Sequence, residues 1–157
     1  MSHQPVSPKL EADAGLAAWL TRCHRKCDLL WSVVEESAEG VQDPPAQQLA
    51  VAAFCKATRS HLDLEEEAVF PQLEAATGQS GFGPTQMMRL EHRQMRGLLS
   101  QIEVAVGSGN IEQVLDLGDT LLMFTQQHNA KEEAVLYPMS EQMLTAEWPA
   151  IHARMIS

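Results

Sequence analysis

The chain has 157 residues, few of them aromatic, with 21 acidic against 11 basic side chains. That length suits one domain with a core large enough to fold alone. The formal net charge of −10 repels phosphate backbones and anionic lipid, which speaks against nucleic acid and membrane surfaces as partners.

Leu, Ala, Met and Gln recur, Gly and Pro fall mostly between long apolar-periodic stretches, and long β-branched runs are absent. Such a composition predicts an all-α protein. No stretch is apolar for the roughly 20 residues that a membrane span needs. The opening Met-Ser-His-Gln-Pro-Val-Ser-Pro shows no charged-then-apolar leader pattern, so a cytoplasmic location is expected.

Residues 1–12 read as a flexible arm. A first helical stretch covers about 13–40. The second opens at Asp43-Pro44, an N-cap with proline at the first helical position, and stops near Gly78. Residues 79–83 read as a loop. The third stretch begins near Pro84 and ends at Gly107-Ser108-Gly109. Asn110 caps the fourth, with Gln113 three residues on as in a capping box, and that stretch runs to about Met143. Trp148-Pro149 marks a break within a short C-terminal segment, 144–157. Four stretches of roughly 24 to 34 residues, about 35 to 50 Å each, predict an up-down-up-down four-helix bundle over 13–143 with a short C-terminal extension. Pro71 and Pro138 lie inside the second and fourth stretches and predict a kink in each.

The apolar stripes carry histidines. The first reads Leu16, Leu20, His24, Cys27, Trp31, Val34. The second reads Ala50, Phe54, Ala57, His61, Glu65, Ala68, and is the weakest because three members are alanine. The third is Met88, His92, Met95, Leu99, Ile102, Val106. The fourth is Leu117, Leu121, Phe124, His128, Glu132, Val135, Met139. Spacings of three and four put each set on one helix face.

One motif occurs twice. His61, Glu65, Glu66 and Pro71 recur as His128, Glu132, Glu133 and Pro138 at identical spacing. Positions i and i+4 of a helix lie one above the other, so each copy points an imidazole and a carboxylate the same way. The histidine intervals of 37, 31 and 36 residues are consistent with a pseudo-two-fold axis. It would exchange His24 with His92, His61 with His128, and Glu65 with Glu132.

Buried carboxylates need positive charge nearby. No lysine or arginine stands in the four stripes, and Arg96 at a stripe edge offsets at most one carboxylate. Bound metal is the simplest source. If Glu65 and Glu132 each bridge two metals, the six side chains supply two nitrogens and two oxygens per metal. A six-coordinate ion then keeps about two positions open. Imidazole and carboxylate together suit iron, and also manganese or zinc. Open positions on paired metals favour small-molecule chemistry over a closed structural site.

Glu66 and Glu133 sit about 100° further round each helix. Two roles stand open for them: a solvated or ion-paired face, or the orienting of ligand histidines from outside. Glu67 and Glu91 read as solvated. His3, in the arm, and His152, beyond Pro149, are not expected to be ligands. Met88, Met95 and Met123 read as ordinary core rather than a gas path. Cys23, Cys27 and Cys55 make an odd count with no C-x-x-C, and read as small apolar residues in a reducing compartment.

His24, His61-x-x-x-Glu65, His92 and His128-x-x-x-Glu132, with the Phe70-Pro71 and Tyr137-Pro138 endings, resemble the hemerythrin-like (HHE cation-binding) domains over roughly residues 16–143. The resemblance implies a four-helix bundle holding a non-haem di-iron centre with both glutamates bridging. Two departures separate the chain from the oxygen-carrying members. Their fifth histidine, one turn after the third-helix ligand, is Arg96 here. Their last carboxylate, an aspartate five residues after its histidine, is here Glu132, four after. The resemblance is therefore closer to bacterial hemerythrin-like proteins linked to nitric oxide, oxidative stress, iron handling or oxygen sensing.

The expected function is that of a non-haem protein with two iron ions that binds or reduces O2, peroxide or NO, in sensing or stress protection. An iron-binding or iron-donating module without catalysis is the alternative. A metal-free interaction bundle is the third reading.

Overall fold

Five helical rods run through the protein in this computed structural model, which describes residues 15–79 and 83–155; no strand occurs among the described residues. The expected arm at 1–12 and the middle of the expected loop at 79–83 lie outside the described residues. Rod one is α1 (Leu16–Ser37). Rod two comprises α2 (Pro44–Leu64), a π-helical turn π1 (Glu65–Val69) and α3 (Phe70–Thr77). Rod three is α4 (Pro84–Gly107). Rod four comprises α5 (Ile111–Lys131), a second π turn π2 (Glu132–Leu136) and α6 (Tyr137–Met143). A short α7 (Trp148–Met155) follows.

The rod ends obey the expected local chemistry. Asp43 accepts the Ala46 N–H at 3.2 Å, ahead of Pro44. Gly78 leaves α3 at φ 71°, a backbone angle that suits glycine. Asn110 accepts the Gln113 N–H at 3.1 Å. The Gln113 oxygen takes the Asn110 side-chain amide at 3.4 Å rather than its backbone N–H, so only half of the capping box forms.

The kink expected at each proline takes the form of a widened turn just upstream. The Phe70 N–H donates to the Glu65 carbonyl and the Tyr137 N–H to the Glu132 carbonyl, five residues back in each case. Pro71 and Pro138 bring no N–H, and their rings crowd the preceding turn. Widening that turn by one residue relieves the crowding.

The extra residue shifts everything after it. Past Glu132 the buried positions are Leu136, Tyr137 and Ser140, whereas Val135 is exposed and Met139 only partly buried. The stripe through Val135 and Met139 is corrected accordingly. On rod two the buried stripe is Gln47, Val51, Phe54, Thr58, His61, one residue on from the expected Ala50 and Ala57. The larger Val51 and Thr58 fill the interior better than two alanines. Val114 and Gly118 likewise take core places beside Leu121.

Rod one packs on rods two and four, and rod three also packs on rods two and four. The ring encloses two apolar clusters. One gathers Leu16, Leu20, Phe70, Leu73, Met88, Tyr137, Leu144 and Ile151; the other gathers Trp31, Val51, Phe54, Met95, Leu99, Ile102 and Leu121. α7 adds Trp148 and Ile151 to the first cluster. His152 on α7 is buried, with its ring edge-on to Trp19 at 5.9 Å. Met88 and Met95 are core as expected. Met123 is 63% exposed, which removes it from both the core and any gas path.

Candidate metal centre

Along each rod a histidine separates the two apolar clusters, between Leu20 and Trp31 on α1 and between Met88 and Met95 on α4. His24, His61, His92 and His128 are all buried, and Glu65 and Glu132 have no exposed surface. The i,i+4 pairing holds in space. His61 Nε2 lies 3.0 Å from Glu65 Oε1, and His128 Nε2 lies 2.9 Å from Glu132 Oε1. The other two imidazoles reach across: His24 Nε2 is 3.3 Å from Glu132 and His92 Nε2 is 3.6 Å from Glu65. The exchange expected of the pseudo-two-fold axis relates these pairs.

Two overlapping donor sets result. His24, His61, Glu65 and Glu132 offer one atom each within 4.8 Å of one another, and so do Glu65, His92, His128 and Glu132. The glutamates belong to both. Yet all four carboxylate oxygens lack a hydrogen-bond donor. A buried carboxylate without donors is expensive. Nitrogens and oxygens gathered this closely surround a common space, the arrangement that ligands of a cation adopt. The residues present therefore fit paired metal ions.

Charge within the cavity is coupled. Burial, aided by His61, lowers the His24 pKa to about 4. Burial lowers His92 to about 3. Burial also opposes charge on His61, but the Glu65 carboxylate overrides it and holds His61 well above the ordinary imidazole value. His128 is raised in the same way by Glu132. Burial and the neighbouring Glu132 push Glu65 upward, whereas Glu132 is lowered despite burial, through its contacts with Glu65 and His128. Without metal the cavity thus favours cationic His61 and His128 around an ionised Glu132.

Two outer nitrogens, His92 Nδ1 and His128 Nδ1, have carboxylate partners within hydrogen-bond distance. His92 Nδ1 lies 3.1 Å from Glu66 Oε1, and Arg96 holds the other Glu66 oxygen at 2.9 Å. Arg96 also binds Asp63 at 2.8 Å and so faces away from the cavity. His24 Nδ1 is 3.6 Å from Glu133 Oε2. Glu66 thus both pairs with Arg96 and contacts an imidazole, whereas Glu133 is exposed and stands 3.6 Å from one.

Glu91 corrects the sequence reading. It is not a solvated residue: its Oε2 lies 3.1 Å from His128 Nδ1, and its Oε1 accepts from Lys131. These contacts hold its carboxyl below the usual value despite burial. Its pseudo-symmetric counterpart, one residue before His24, is Cys23, which stands beside His61 and, against burial, helps to raise its pKa. Glu67 is exposed as expected. The sequence reading also missed Tyr137 as a site residue. Its buried hydroxyl lies 2.9 Å from His24 Nε2 and 3.2 Å from His61 Nε2. Regular helix counting gives no signal for Tyr137, since it lies five residues past Glu132.

A cleft of about 880 Å³ between α1 and α2 is lined by Cys23, Lys26, Cys27, Lys56 and His61 among others. A smaller cavity of about 30 Å³ lies beside His24, His61 and His128, walled by Phe54, Leu62, Met95 and Leu121. The three cysteines are free. Burial pushes the Cys55 thiol up to about 12 and raises Cys27, which keeps both in the inert thiol form.

A helical bundle with a buried histidine–glutamate cluster is compatible with cation binding. The hemerythrin HHE cation-binding domain family matches residues 16–140, and the chain belongs to that family. No curated protein and no solved structure matches it. No helix among the described residues is long and apolar enough to cross a membrane.

Proposed function

We propose that the cavity holds two non-haem iron ions and that the protein binds or reduces a small oxidant (O2, peroxide or NO) in sensing or stress protection. The single observation that carries this reading is the pair of donor sets sharing Glu65 and Glu132. His24 and His61 would hold one ion and His92 and His128 the other, with Glu65 and Glu132 within reach of both. Manganese or zinc would accept the same donors. Bound iron supplies a redox couple and free coordination positions. Glu66 and Glu133 orient His92 and His24. In the proposed topology the four rods alternate up and down.

Size supports the ligand class. The inner cavity of about 30 Å³ has room for a water, a diatomic molecule or peroxide, and for little more. The cleft over His61 is the access route. The three free thiols suit a reducing cytoplasm. An iron-donating module would use the same ligands, but six donors each no more than 7% exposed are poorly placed for rapid exchange. A metal-free bundle would leave two fully buried carboxylates offset only by the imidazoles beside them, His61 at 3.0 Å and His128 at 2.9 Å.

The test is metal analysis of the purified protein with optical spectra before and after O2, peroxide and NO. Two irons per chain and a spectrum that responds to at least one of the three are expected. A chain that carries iron and responds to none is not an oxidant-binding protein.

A further inference from the structure

The pseudo-two-fold relation breaks at one pair of positions. Phe70 and Tyr137 are equivalent: each follows its glutamate by five residues and precedes its proline. Phe70 stacks on His92, with ring centroids 5.6 Å apart and planes at 28°. Tyr137 carries a hydroxyl that Phe70 lacks. On the Phe70 side the two Nε2 atoms of His92 and His128 lie 3.1 Å apart. On the other side the Tyr137 oxygen stands between the Nε2 atoms of His24 and His61, at 2.9 and 3.2 Å.

A phenol donates one hydrogen bond and accepts others, so in the metal-free protein the hydroxyl serves both His24 and His61. The same position is the one a shared metal donor would take. His24 has its Nδ1 toward Glu133, which leaves Nε2 as its lone-pair face when the ring is neutral. A cation at the shared focus would satisfy both nitrogens and the phenol oxygen together. The spacing agrees. Donors about 2.1 Å from one ion and at right angles to each other stand about 3 Å apart. The hydroxyl's two separations have that value, as does the 3.0 Å between His61 Nε2 and Glu65 Oε1.

We infer that Tyr137 is a fifth protein donor to the metal held by His24, His61, Glu65 and Glu132, bound through its phenolate oxygen, and that the metal at His92 and His128 has no such donor. The inference rests on the metal reading proposed above. On coordination the oxygen–metal bond forms, the phenolic O–H bond breaks, the proton leaves to bulk water, and the metal's oxidation state does not change. The consequence is inequivalence. One position gains an anionic oxygen, which favours a trivalent over a divalent ion by charge alone, and it keeps fewer free positions than its neighbour.

The experiment loads the full chain with Fe(II) without oxygen, oxidises it with ferricyanide, and records metal content, visible absorption and resonance Raman spectra. The expected result is a phenolate-to-iron(III) charge-transfer band with tyrosinate ring vibrations in the wild type. Both should be lost in Tyr137→Phe at unchanged iron content. Phe70→Tyr, which offers a phenol to the other metal, should strengthen the band, and it decides the matter together with the wild-type spectra if Tyr137→Phe does not fold. Wild-type protein with two irons but no tyrosinate modes, or Tyr137→Phe protein that retains them, overturns the donor assignment and leaves the metal reading standing. A chain that binds no iron overturns both.

Discussion

Glu66 Oε1 lies 3.1 Å from His92 Nδ1, and Arg96 clamps the other Glu66 oxygen at 2.9 Å. A carboxylate on the outer nitrogen fixes the tautomer and turns Nε2 inward; losing such a partner typically costs 10- to 100-fold in metal affinity. Glu66→Ala is therefore expected to weaken metal binding by about that factor without unfolding the bundle, since Glu66 is only partly buried. Glu67→Ala, one residue on and exposed, is expected to change nothing. Competition titration against a chelator of known affinity measures both. Equal effects of the two substitutions would remove the orienting role.

Glu65, through its raised pKa, makes the stability of the metal-free protein depend on pH. Burial and the adjacent Glu132 raise its pKa in the folded state. The folded apo protein thus binds a proton there more readily than the unfolded chain does. That contribution is complete below the unfolded carboxyl value and is lost as pH rises through the folded one. Glu65→Gln does not titrate. The apo variant is expected to melt higher than apo wild type at pH 8, by the equivalent of about 1–3 kcal/mol, with the gap closing toward acid. Metal addition should raise the wild-type Tm and move the variant much less. Thermal melts with and without chelator, at pH 5 and pH 8, supply the comparison. An apo gap that widens toward acid would contradict the raised Glu65 pKa.

Metal affinity should still climb with pH above the ordinary imidazole range. Ligand imidazoles must be neutral to bind. His24 and His92, lowered to about 4 and about 3, are already neutral at pH 6.5. His61, held well above its ordinary value by Glu65 despite burial, and His128, likewise raised by Glu132, favour a proton that metal must displace. Calorimetric titration with Co(II) between pH 6.5 and 8, in buffers of different ionisation enthalpy, counts the protons released. Tyr137→Phe should retain the share that belongs to His61. Affinity that is flat across this range would mean His61 is neutral before metal arrives.

The site was legible in the sequence where the helix repeat is unbroken. His61 with Glu65, and His128 with Glu132, are one turn apart on regular helix, so counting by four suffices. Tyr137 was not legible, because five residues of α-helix place it about 140° from Glu132, off the cavity face. Only the π turn, forced by Pro138, brings it round, and the same turn exchanges Val135 for Leu136 in the core. Glu91 was missed for a different reason. A glutamate one position from a stripe reads as solvated, and the groups that hold it, His128 and Lys131, belong to another rod. The seating of α7 through Trp148 and Ile151 is also a tertiary outcome that no local pattern carries.

Gly118 shows how tightly the rods are set. It sits inside α5, where alanine would ordinarily gain about 1 kcal/mol of helix propensity. A Cβ built there would fall within the six-membered ring of Trp31 on α1. Trp31 is 2% exposed and packs against Phe54 on α2 at 5.0 Å between centroids, so the ring cannot simply swing aside. Overpacking of this kind typically costs 1–3 kcal/mol, which outweighs the propensity gain. Gly118→Ala is expected to destabilise the protein by about 1–2 kcal/mol net, read from urea denaturation. The loss should shrink in Trp31→Phe/Gly118→Ala relative to Trp31→Phe alone, since the smaller ring leaves space for the methyl. If Gly118→Ala instead stabilises the fold, α1 and α5 are further apart than this contact requires.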